Sequence, residues 1–223
     1  MTDRFLAVAG LFYSIQGEST RAGLPCAFIR LAGCNLRCRY CDSAYTWEEA
    51  GNRTAIAEIL RWLEWYPEVL VELTGGEPLL QEDIYPLLNE LLARGRSVLV
   101  ESNGSLSIAR VPAQAGVILD LKCPDSGMAE QTDWENITLL AARKEHGSRD
   151  EIKFVLSSEA DYAWASEVIA RYRLAALVPL LLSPVANELS PARLAELMLR
   201  DRLPARLQLQ LHRIIWPARE RGV

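Results

Sequence analysis

The chain lacks the features that mark membrane, exported and nucleic-acid-binding proteins. No run approaches the roughly 18 consecutive apolar residues that a membrane helix needs, and the longest apolar stretch, residues 175–182, contains a proline. The N-terminal stretch MTDRFLAVAG has neither the apolar core nor the cleavage site of a secretory signal. Runs of basic residues are also absent, and the net charge is −5. We therefore expect a cytoplasmic protein that binds a small molecule, with no nucleic acid or membrane as partner.

Cysteine is scarce, and its distribution excludes a disulfide framework. The chain has five cysteines, and Cys34, Cys38 and Cys41 lie within eight residues of one another. Small secreted domains instead place an even number of cysteines in pairs along the chain. Clustered thiols in a reducing compartment indicate a metal site. We expect the remaining two, Cys26 and Cys123, to be buried apolar thiols.

Short β-rich runs alternate with helical patterns along the 223 residues. Most of these runs are continuously apolar, which is typical of parallel strands that are covered on both faces. They predict strands at residues 26–32, 69–73, 97–101, 117–121, 151–156, 177–182 and 207–211. Amphipathic patterns predict helices at 54–66 with Thr54 as N-cap, at 83–94 ending at Gly95, at 131–146 and 159–172, and at 190–200 with Pro191 in its first position.

Repeated β–α units predict an α/β fold with a parallel sheet and right-handed crossovers. The pattern alone is compatible with an open doubly wound sheet and with a partial barrel. In both architectures the chemistry gathers at the carboxyl ends of the strands. Polar residues lie at the ends of three predicted strands there, namely Thr74 to Glu77, Ser102 with Asn103, and Asp120 with Lys122. We expect the functional site at this edge of the sheet.

The cysteine loop follows the first predicted core strand and reads Cys34-Asn-Leu-Arg-Cys38-Arg-Tyr-Cys41. Three thiolates can each bind one iron of a [4Fe–4S] cluster and leave the fourth iron open. An open position on a metal is where substrate chemistry can occur. The alternative is a structural zinc site, which needs a fourth ligand from Cys26, Cys123, His146 or His212. Zinc knuckles supply their ligands in pairs and no second pair exists, so the spacing favours the cluster.

The loop resembles the signature of the radical S-adenosylmethionine (SAM) superfamily, including the aromatic Tyr40 before the last cysteine. Gly75-Gly76-Glu77-Pro78 resembles its SAM-binding segment. The resemblance implies that SAM binds the open iron and yields a 5′-deoxyadenosyl radical on one-electron reduction. It also implies one domain, residues 1–223, folded as a partial (βα)6 barrel with its cluster loop at 33–43. The implied SAM contacts are Tyr40, Cys41, Asp42, Gly75, Gly76, Glu77, Ser102, Asn103, Asp120, Leu121 and Lys122.

Two further segments resemble the 7-carboxy-7-deazaguanine synthase family: Phe12-Tyr-Ser-Ile-Gln-Gly-Glu18 and Cys41-Asp-Ser43-Ala-Tyr-Thr-Trp47. Members convert 6-carboxy-5,6,7,8-tetrahydropterin into 7-carboxy-7-deazaguanine with loss of ammonia, a step towards queuosine. The resemblance implies hydrogen abstraction at C6 of the pterin, regeneration of SAM, a flavodoxin- or ferredoxin-type electron donor, and a homodimer. It implies Mg²⁺ bound in part by the Ser43 hydroxyl, and substrate contacts from Ile15, Gln16, Gly17, Glu18, Arg30, Thr74 and His212.

The chemistry of a reduced pterin is compatible with these residues. Arg30 can pair with its carboxylate through two hydrogen bonds, and Glu18 can accept N–H bonds from its guanidine-like edge. Mg²⁺ prefers oxygen ligands and keeps much of its water, so substrate oxygens would have to complete a shell begun by Ser43. Structural alternatives remain for each residue: an ion pair for Arg30, a turn for Glu18, a cap for Ser43 and a buried histidine for His212.

The sequence departs from the family pattern at two places. Ser19 stands where the family usually has glycine, and Asp120-Leu121-Lys122 stands where Ser-Pro-Lys is common. The main rival is an activating enzyme that installs a glycyl radical on another protein, because such enzymes resemble this chain in size and cysteine spacing. They would need an open groove for a peptide and no Gln-Gly-Glu segment.

Overall fold

The computed structural model describes residues 4–223; the first three residues of the N-terminal stretch examined for a secretory signal lie outside it. Nine strands form one sheet in the order β3-β1-β2-β4-β5-β6-β7-β8-β9. The strands are β1 Phe5–Ile15, β2 Pro25–Leu31, β3 Asn52–Ala55, β4 Leu70–Gly75, β5 Val98–Ser102, β6 Gly116–Asp120, β7 Glu151–Leu156, β8 Leu180–Pro184 and β9 Arg206–Leu207. The helices are α1 Tyr45–Glu48, α2 Ile56–Leu63, α3 Ile84–Ala93, α4 Glu135–Glu145, α5 Glu159–Arg171, α6 Pro191–Asp201 and α7 Leu211–Ile215.

The strand order distinguishes between the two architectures that the sequence allows. Strands β2 and β4 to β9 are parallel and follow one another across the sheet in chain order. A doubly wound sheet would reverse its strand order partway across, and no such reversal occurs among these parallel strands. The antiparallel β1 and β3 extend the first edge, and the sheet stays open. The α/β prediction is confirmed, in the form of an open, partial barrel.

The two faces of the sheet carry different side chains because successive residues of a strand point to opposite faces. Val71, Leu73 and Val100 belong to the large core under the helices. The opposite, inner face holds a small apolar layer of Phe28, Leu70, Leu99, Ile118 and Cys26. Two residues further along each strand, the inner face becomes charged: Arg30, Glu72, Glu101, Asp120 and, on β7, Lys153. The carboxyl end of the inner face is therefore the polar end.

Several predicted boundaries are wrong for identifiable reasons. The predicted strand 177–182 begins only at Leu180, since the backbone N–H groups of Leu177 and Val178 both donate to the Leu174 carbonyl at the end of a 3-10 helix. Of the predicted strand 207–211, only Leu207 lies in a strand, the two-residue β9. The last residue of the predicted strand, Leu211, is the first residue of helix α7. Thr54 is not an N-cap: it lies in β3, whose pairing with β1 takes precedence, and the helix starts after Ala55.

Other local predictions are confirmed. Gly95 follows α3 with φ of 73°, the left-handed conformation expected after a helix end. Ser190 caps α6 by accepting a hydrogen bond from the Arg193 backbone N–H at 3.1 Å, with Pro191 in the first turn. Both Cys26 and Cys123 are fully buried. In residues 4–223, no helix has the length and apolar character needed to cross a membrane.

A buried ion pair joins α4 to the sheet. The Arg143 guanidinium donates to Asp150 at 2.9 Å and 3.0 Å and to the Ala115 carbonyl at 2.7 Å. Asp150 also accepts from the Val117 backbone N–H at 2.8 Å. Neither charged side chain is exposed beyond 8%.

We predict that Asp150→Asn destabilises the apoprotein, because it leaves the Arg143 charge buried without its counterion. The expected loss in free energy of unfolding is about 3–5 kcal/mol, measured by urea denaturation. The control is Glu90→Gln, which breaks the exposed 2.9 Å pair with Arg94 and should cost less than about 1 kcal/mol. Equal losses in the two variants would contradict the assignment.

Candidate active site

A cavity of about 610 Å³ opens at the carboxyl edge of the sheet, where the polar inner face meets the cysteine loop. Most of the residues that the sequence marks as a site line it: Glu18, Arg30, Cys34, Cys38, Cys41, Asp42, Ser43, Thr74, Gly75, Gly76, Ser102, Asn103, Asp120, Lys122 and His212. Residues far apart in the chain are thus brought to one place, as the strand-end argument predicts.

The cysteine loop is held by backbone contacts on both sides. The Gly33 N–H donates to the Thr46 carbonyl at 2.6 Å, and the Arg39 N–H donates to the Ser126 carbonyl at 3.0 Å. Cys34 Sγ accepts from the Leu36 N–H at 3.4 Å and from the Asn103 side-chain amide at 3.7 Å. Hydrogen bonds of this kind stabilise a thiolate that binds a metal.

The donor set fits an iron–sulfur cluster better than a single zinc ion. Within residues 4–223, no three His, Cys, Asp or Glu side chains lie close enough together to hold one metal ion. Of the four further zinc ligands considered, Cys26 and Cys123 are in the core, His146 is exposed on the end of α4, and only His212 lines the cavity. Three separated thiols around a cavity match a cluster that binds one sulfur ligand per iron.

Burial raises the pKa values of the Cys38 and Cys41 thiols. For Cys38 the Lys122 ammonium opposes this effect, and for Cys41 the Ser43 backbone N–H does so. Without a metal, these thiols therefore stay protonated at neutral pH. A bound cluster would displace the protons, since a metal centre deprotonates the thiols that bind it.

The Gly75-Gly76-Glu77-Pro78 segment packs backbone to backbone against the loop. Gly75 has φ of 145°, and a Cβ on Gly76 would overlap the Gly33 carbonyl oxygen and lie 2.8 Å from Cys34 Cβ. The Glu77 N–H donates to the Gly33 carbonyl at 2.8 Å. Only glycine permits this approach, so the segment fixes the position of the first cysteine.

Glu77 joins this segment to the end of β5 and does not itself line the cavity. Its carboxyl is fully buried and accepts from the backbone N–H groups of Leu79 at 2.9 Å and Asn103 at 2.7 Å, and from the Ser102 hydroxyl at 3.2 Å. Burial raises the pKa of Glu77 to about 7, although these hydrogen bonds oppose the shift. Glu77 therefore orders Ser102 and Asn103.

On the side of the predicted SAM contacts, Lys122 donates to Asp120 at 2.8 Å. The second Asp120 oxygen, Oδ1, is buried and has no hydrogen-bond partner in the described part of the chain. Leu121 is fully buried, and Tyr40 donates its hydroxyl to the Val155 carbonyl at 2.9 Å. Neither residue lines the cavity.

On the other side, Arg30 donates to the Ser43 hydroxyl at 3.0 Å, and its Nε has no partner among residues 4–223. Thr74 donates to Glu101 at 3.3 Å. Burial lowers the pKa of His212, although the Asp42 carboxylate opposes the shift, so His212 is neutral at pH 7. This wall combines a fixed cation, carboxylates and a neutral imidazole.

Three predicted substrate contacts, Ile15, Gln16 and Gly17, do not line the cavity. The Gln16 side chain is buried; it donates to Glu72 and accepts from the Glu18 N–H at 2.9 Å. The ring of His212 covers Gly17, where a Cβ would lie 2.5 Å from Nδ1. These residues therefore position the turn that presents Glu18.

The backbone conformation at Ser19 explains why the family usually has glycine at this position. Its φ of 66° is in the left-handed region, which glycine adopts without strain. The Ser19 hydroxyl accepts from the Arg21 N–H at 2.9 Å, a contact that glycine cannot make and that offsets part of the strain.

Sequence reasoning missed Glu72, Glu101, Lys153 and the part of the C-terminal segment that follows His212. Lys153 and Glu101 both line the cavity, and each is a charged residue inside a mostly apolar strand. That interruption, at the alternate positions of the inner face, is the signal that could have identified them.

The C-terminal segment crosses from the β9 edge to the opposite side of the cavity. The Leu211 N–H donates to the Gly17 carbonyl at 3.0 Å, and the Gln210 amide donates to Asp42 at 3.2 Å. Further along, Arg221 pairs with Glu49 at 2.7 Å. Residues from Trp216 to Val223 contribute to the cavity wall, so the open side of the barrel is covered by this segment.

Comparisons with known proteins agree with this geometry. A family profile described as the radical SAM superfamily matches residues 28–125. QueE from Escherichia coli superposes with a TM-score of 0.74 at 23% identity, covering 92% of this chain and 94% of that one. SuiB from Streptococcus suis, bound to the precursor peptide SuiA, gives 0.60 at 18% identity, covering 82% of this chain and 47% of that one. The open parallel barrel with three cysteines at its carboxyl edge is that of a radical SAM enzyme.

Relatives with higher identity narrow the assignment. The 7-carboxy-7-deazaguanine synthase of Chlorobaculum tepidum is 46% identical over 100% of this chain and 99% of its own length. The Koribacter versatilis synthase is 38% identical over 98% of this chain and 100% of its own length. The chain belongs to the 7-carboxy-7-deazaguanine synthase family.

We predict that Gly76→Ala disrupts the cluster loop while the fold persists, because the new Cβ forces Gly33 and Cys34 apart. A displacement of about 1 Å would slow SAM cleavage about 100-fold, measured as methionine released by the reduced, reconstituted protein. Gly10→Ala is the control: its Cβ would meet only Phe12 at 3.8 Å. If Gly76→Ala loads iron and cleaves SAM as the wild type does, the close approach has no functional role.

Proposed function

We propose that this chain is a 7-carboxy-7-deazaguanine synthase that converts 6-carboxy-5,6,7,8-tetrahydropterin into 7-carboxy-7-deazaguanine and ammonia. The observation that carries the proposal is one cavity in which the three-cysteine loop faces a wall of Arg30, Glu18 and Glu101. The overall change removes only ammonia, so the reaction needs no net oxidant.

The three cysteines fit a [4Fe–4S] cluster, with SAM held by the glycine segment and by the ends of β5 and β6. When bound, this pair supplies a 5′-deoxyadenosyl radical able to abstract hydrogen from a carbon. Gly75 and Gly76 offer backbone groups to the amino and carboxylate groups of SAM. Asn103, Asp120 and Lys122 lie along the same wall, and the unpartnered Asp120 Oδ1 can accept a hydrogen bond from it.

The other wall supports pterin recognition. Arg30 offers its guanidinium, including the unpartnered Nε, to the pterin carboxylate. Glu18 has one buried oxygen, Oε1, without a partner in the described chain, which suits the N–H groups of the guanidine-like edge. Thr74 and the neutral His212 can exchange hydrogen bonds with ring nitrogens or the carbonyl oxygen.

A magnesium ion beside Ser43 belongs to the same proposal. The Ser43 hydroxyl accepts from Arg30 at 3.0 Å and donates to Asp42 at 3.2 Å. Burial would raise the pKa of Asp42, but Arg30 and Lys153 lower it, so it is ionised at neutral pH. A hydroxyl beside a carboxylate suits a hard cation whose shell is completed by water and substrate oxygens.

The rival activity, activation of a glycyl-radical enzyme, needs an open groove for a peptide loop. The segment from Gln210 to Val223 covers the open side of this cavity through its contacts with Gly17, Asp42 and Glu49. The space that remains in the cavity suits a small substrate better than a peptide loop.

The reaction requires an electron donor, and a small flavodoxin- or ferredoxin-type protein is the proposed one. A cytoplasmic location suits five free cysteines.

A homodimer would cover exposed apolar side chains such as Leu199 and Ile214.

The direct test is an anaerobic product assay with reduced, reconstituted protein, SAM and the carboxytetrahydropterin. We expect one deazapurine and one ammonia per pterin consumed. Cys38→Ala should lose the cluster, about four irons per chain, and with it all turnover; Cys26→Ala, a buried thiol outside the loop, should retain both. SAM cleavage without any deazapurine from wild-type protein would reject the synthase assignment.

The magnesium proposal predicts a specific effect of Ser43→Ala. Iron content and SAM binding should be unchanged, while the Mg²⁺ concentration for half-maximal turnover should rise about 10-fold or more, as for other lost metal contacts. Ser166→Ala is the control, because the Ser166 hydroxyl donates to the Tyr162 carbonyl within α5 and does not line the cavity. An unaltered Mg²⁺ response in Ser43→Ala would exclude Ser43 as a ligand.

A further inference from the structure

The Lys153 side chain is exposed by only 6%, yet it has no place in the proposed contacts to pterin or SAM. It projects from β7 on the inner face of the sheet. Its ammonium contacts Glu101, lies 3.3 Å from Glu18 and 3.5 Å from Asp120. A buried lysine costs free energy unless its charge is compensated, so this position requires an explanation.

The partners of Lys153 come from both walls of the cavity. Glu18 belongs to the turn after β1 and Glu101 to β5, while Asp120 ends β6 beside Lys122. Both oxygens of Glu101 are occupied, one by Lys153 and one by Thr74. Glu18 differs: Lys153 binds its Oε2, while Oε1 has no partner within residues 4–223. One ammonium therefore holds the carboxyl group that offers a free acceptor.

We propose that Lys153 is a positioning residue for pterin recognition: its ammonium orients the Glu18 and Glu101 carboxyl groups as acceptors and connects them to Asp120 on the SAM side. This inference rests on the proposed function, because it assumes that the Glu18 wall binds the pterin. Lys153 acts through the glutamates and need not touch the substrate.

The charges around Lys153 show what its removal would do. Burial raises the pKa of Glu18, and Lys153 is the main opposing group, while Glu101, Asp42 and Asp120 raise it further. Burial alone would lower the pKa of Lys153, but the three carboxylates together raise it well above its usual value. Lys153 therefore stays charged, and without it the carboxyl groups repel one another, because their side chains are largely buried.

Charged and titratable groups face Lys153 from the surrounding elements. They are Glu18 after β1, Arg30 on β2, Asp42 in the cysteine loop, Glu72 on β4, Glu101 on β5, Asp120 and Lys122 at the end of β6, and His212 on α7. Among them, Lys122 is paired to Asp120 at 2.8 Å and Arg30 donates to Ser43. Lys153 is therefore the cation in direct contact with Glu18 and Glu101.

The test compares Lys153→Met with Lys144→Met, an exposed lysine that donates to the Ala176 carbonyl far from the cavity. Binding of the carboxytetrahydropterin to reconstituted protein is measured anaerobically by calorimetry from pH 5.5 to 8.5. We expect Lys153→Met to bind the pterin at least about 10-fold more weakly at pH 7. The acidic limb of its binding curve, where affinity falls as the pH is lowered, should move up by about one pH unit or more, because Glu18 now ionises at higher pH. Lys144→Met should match the wild type.

A double variant, Lys153→Met with Glu101→Gln, removes one ammonium and one carboxylate together. It should bring the acidic limb back towards that of the wild type, a rescue that a packing role for Lys153 would not produce. If Lys153→Met does not fold, the double variant is compared with Glu101→Gln alone, whose limb should lie at lower pH because Lys153 is still present.

Specific outcomes would overturn the inference. An acidic limb that is the same in Lys153→Met and wild type would do so, as would normal pterin binding combined with lost turnover, which would place Lys153 in the chemistry itself. The proposed function fails separately, when wild-type protein binds the pterin and forms no deazapurine. The binding measurement needs no turnover, so the two failures are distinguishable.

Discussion

The close approach of the Gly33 carbonyl to the backbone of Gly76 and Glu77 determines where the cysteine loop lies. Two chain segments meet there without an intervening side chain, because a Cβ at Gly76 would overlap the Gly33 oxygen. The contact ties the loop after β2 to the end of β4, and Glu77 extends it to Ser102 and Asn103 at the end of β5. The three thiols therefore face the same cavity as the ends of the neighbouring strands.

The second constraint is the alternation of side chains along the parallel strands. The inner face is apolar at the level of Phe28, Leu70 and Leu99, and it becomes charged two residues later. The residues of the apolar layer do not line the cavity, whereas Arg30, Glu101, Asp120 and Lys153 do. Charges that would be costly in a closed core are tolerated because they compensate one another and face a ligand site.

The sequence was most informative where the chemistry depends on neighbouring residues. The cysteine spacing and the Gly75-Gly76-Glu77-Pro78 segment each bring their groups together within a few residues, so the site could be placed before the fold was known. Glu72, Glu101 and Lys153 were not identified as site residues, since each is a single charged residue in its own strand. Only the pairing of the strands brings these residues together on the inner face. Likewise, the sequence could not show that β3 and the antiparallel β1 pair, because neither has the continuous apolar run of a central strand.

The proposed chemistry depends on one iron of the cluster, which three cysteines would leave without a protein ligand. The most direct measurement is the electron paramagnetic resonance spectrum of the reduced, reconstituted protein, recorded with and without SAM. We predict the signal of a reduced [4Fe–4S] cluster whose g-values change when SAM is added, because SAM would bind the iron that has no cysteine ligand. An iron–sulfur signal that SAM leaves unchanged, or a protein that takes up no iron, would contradict it.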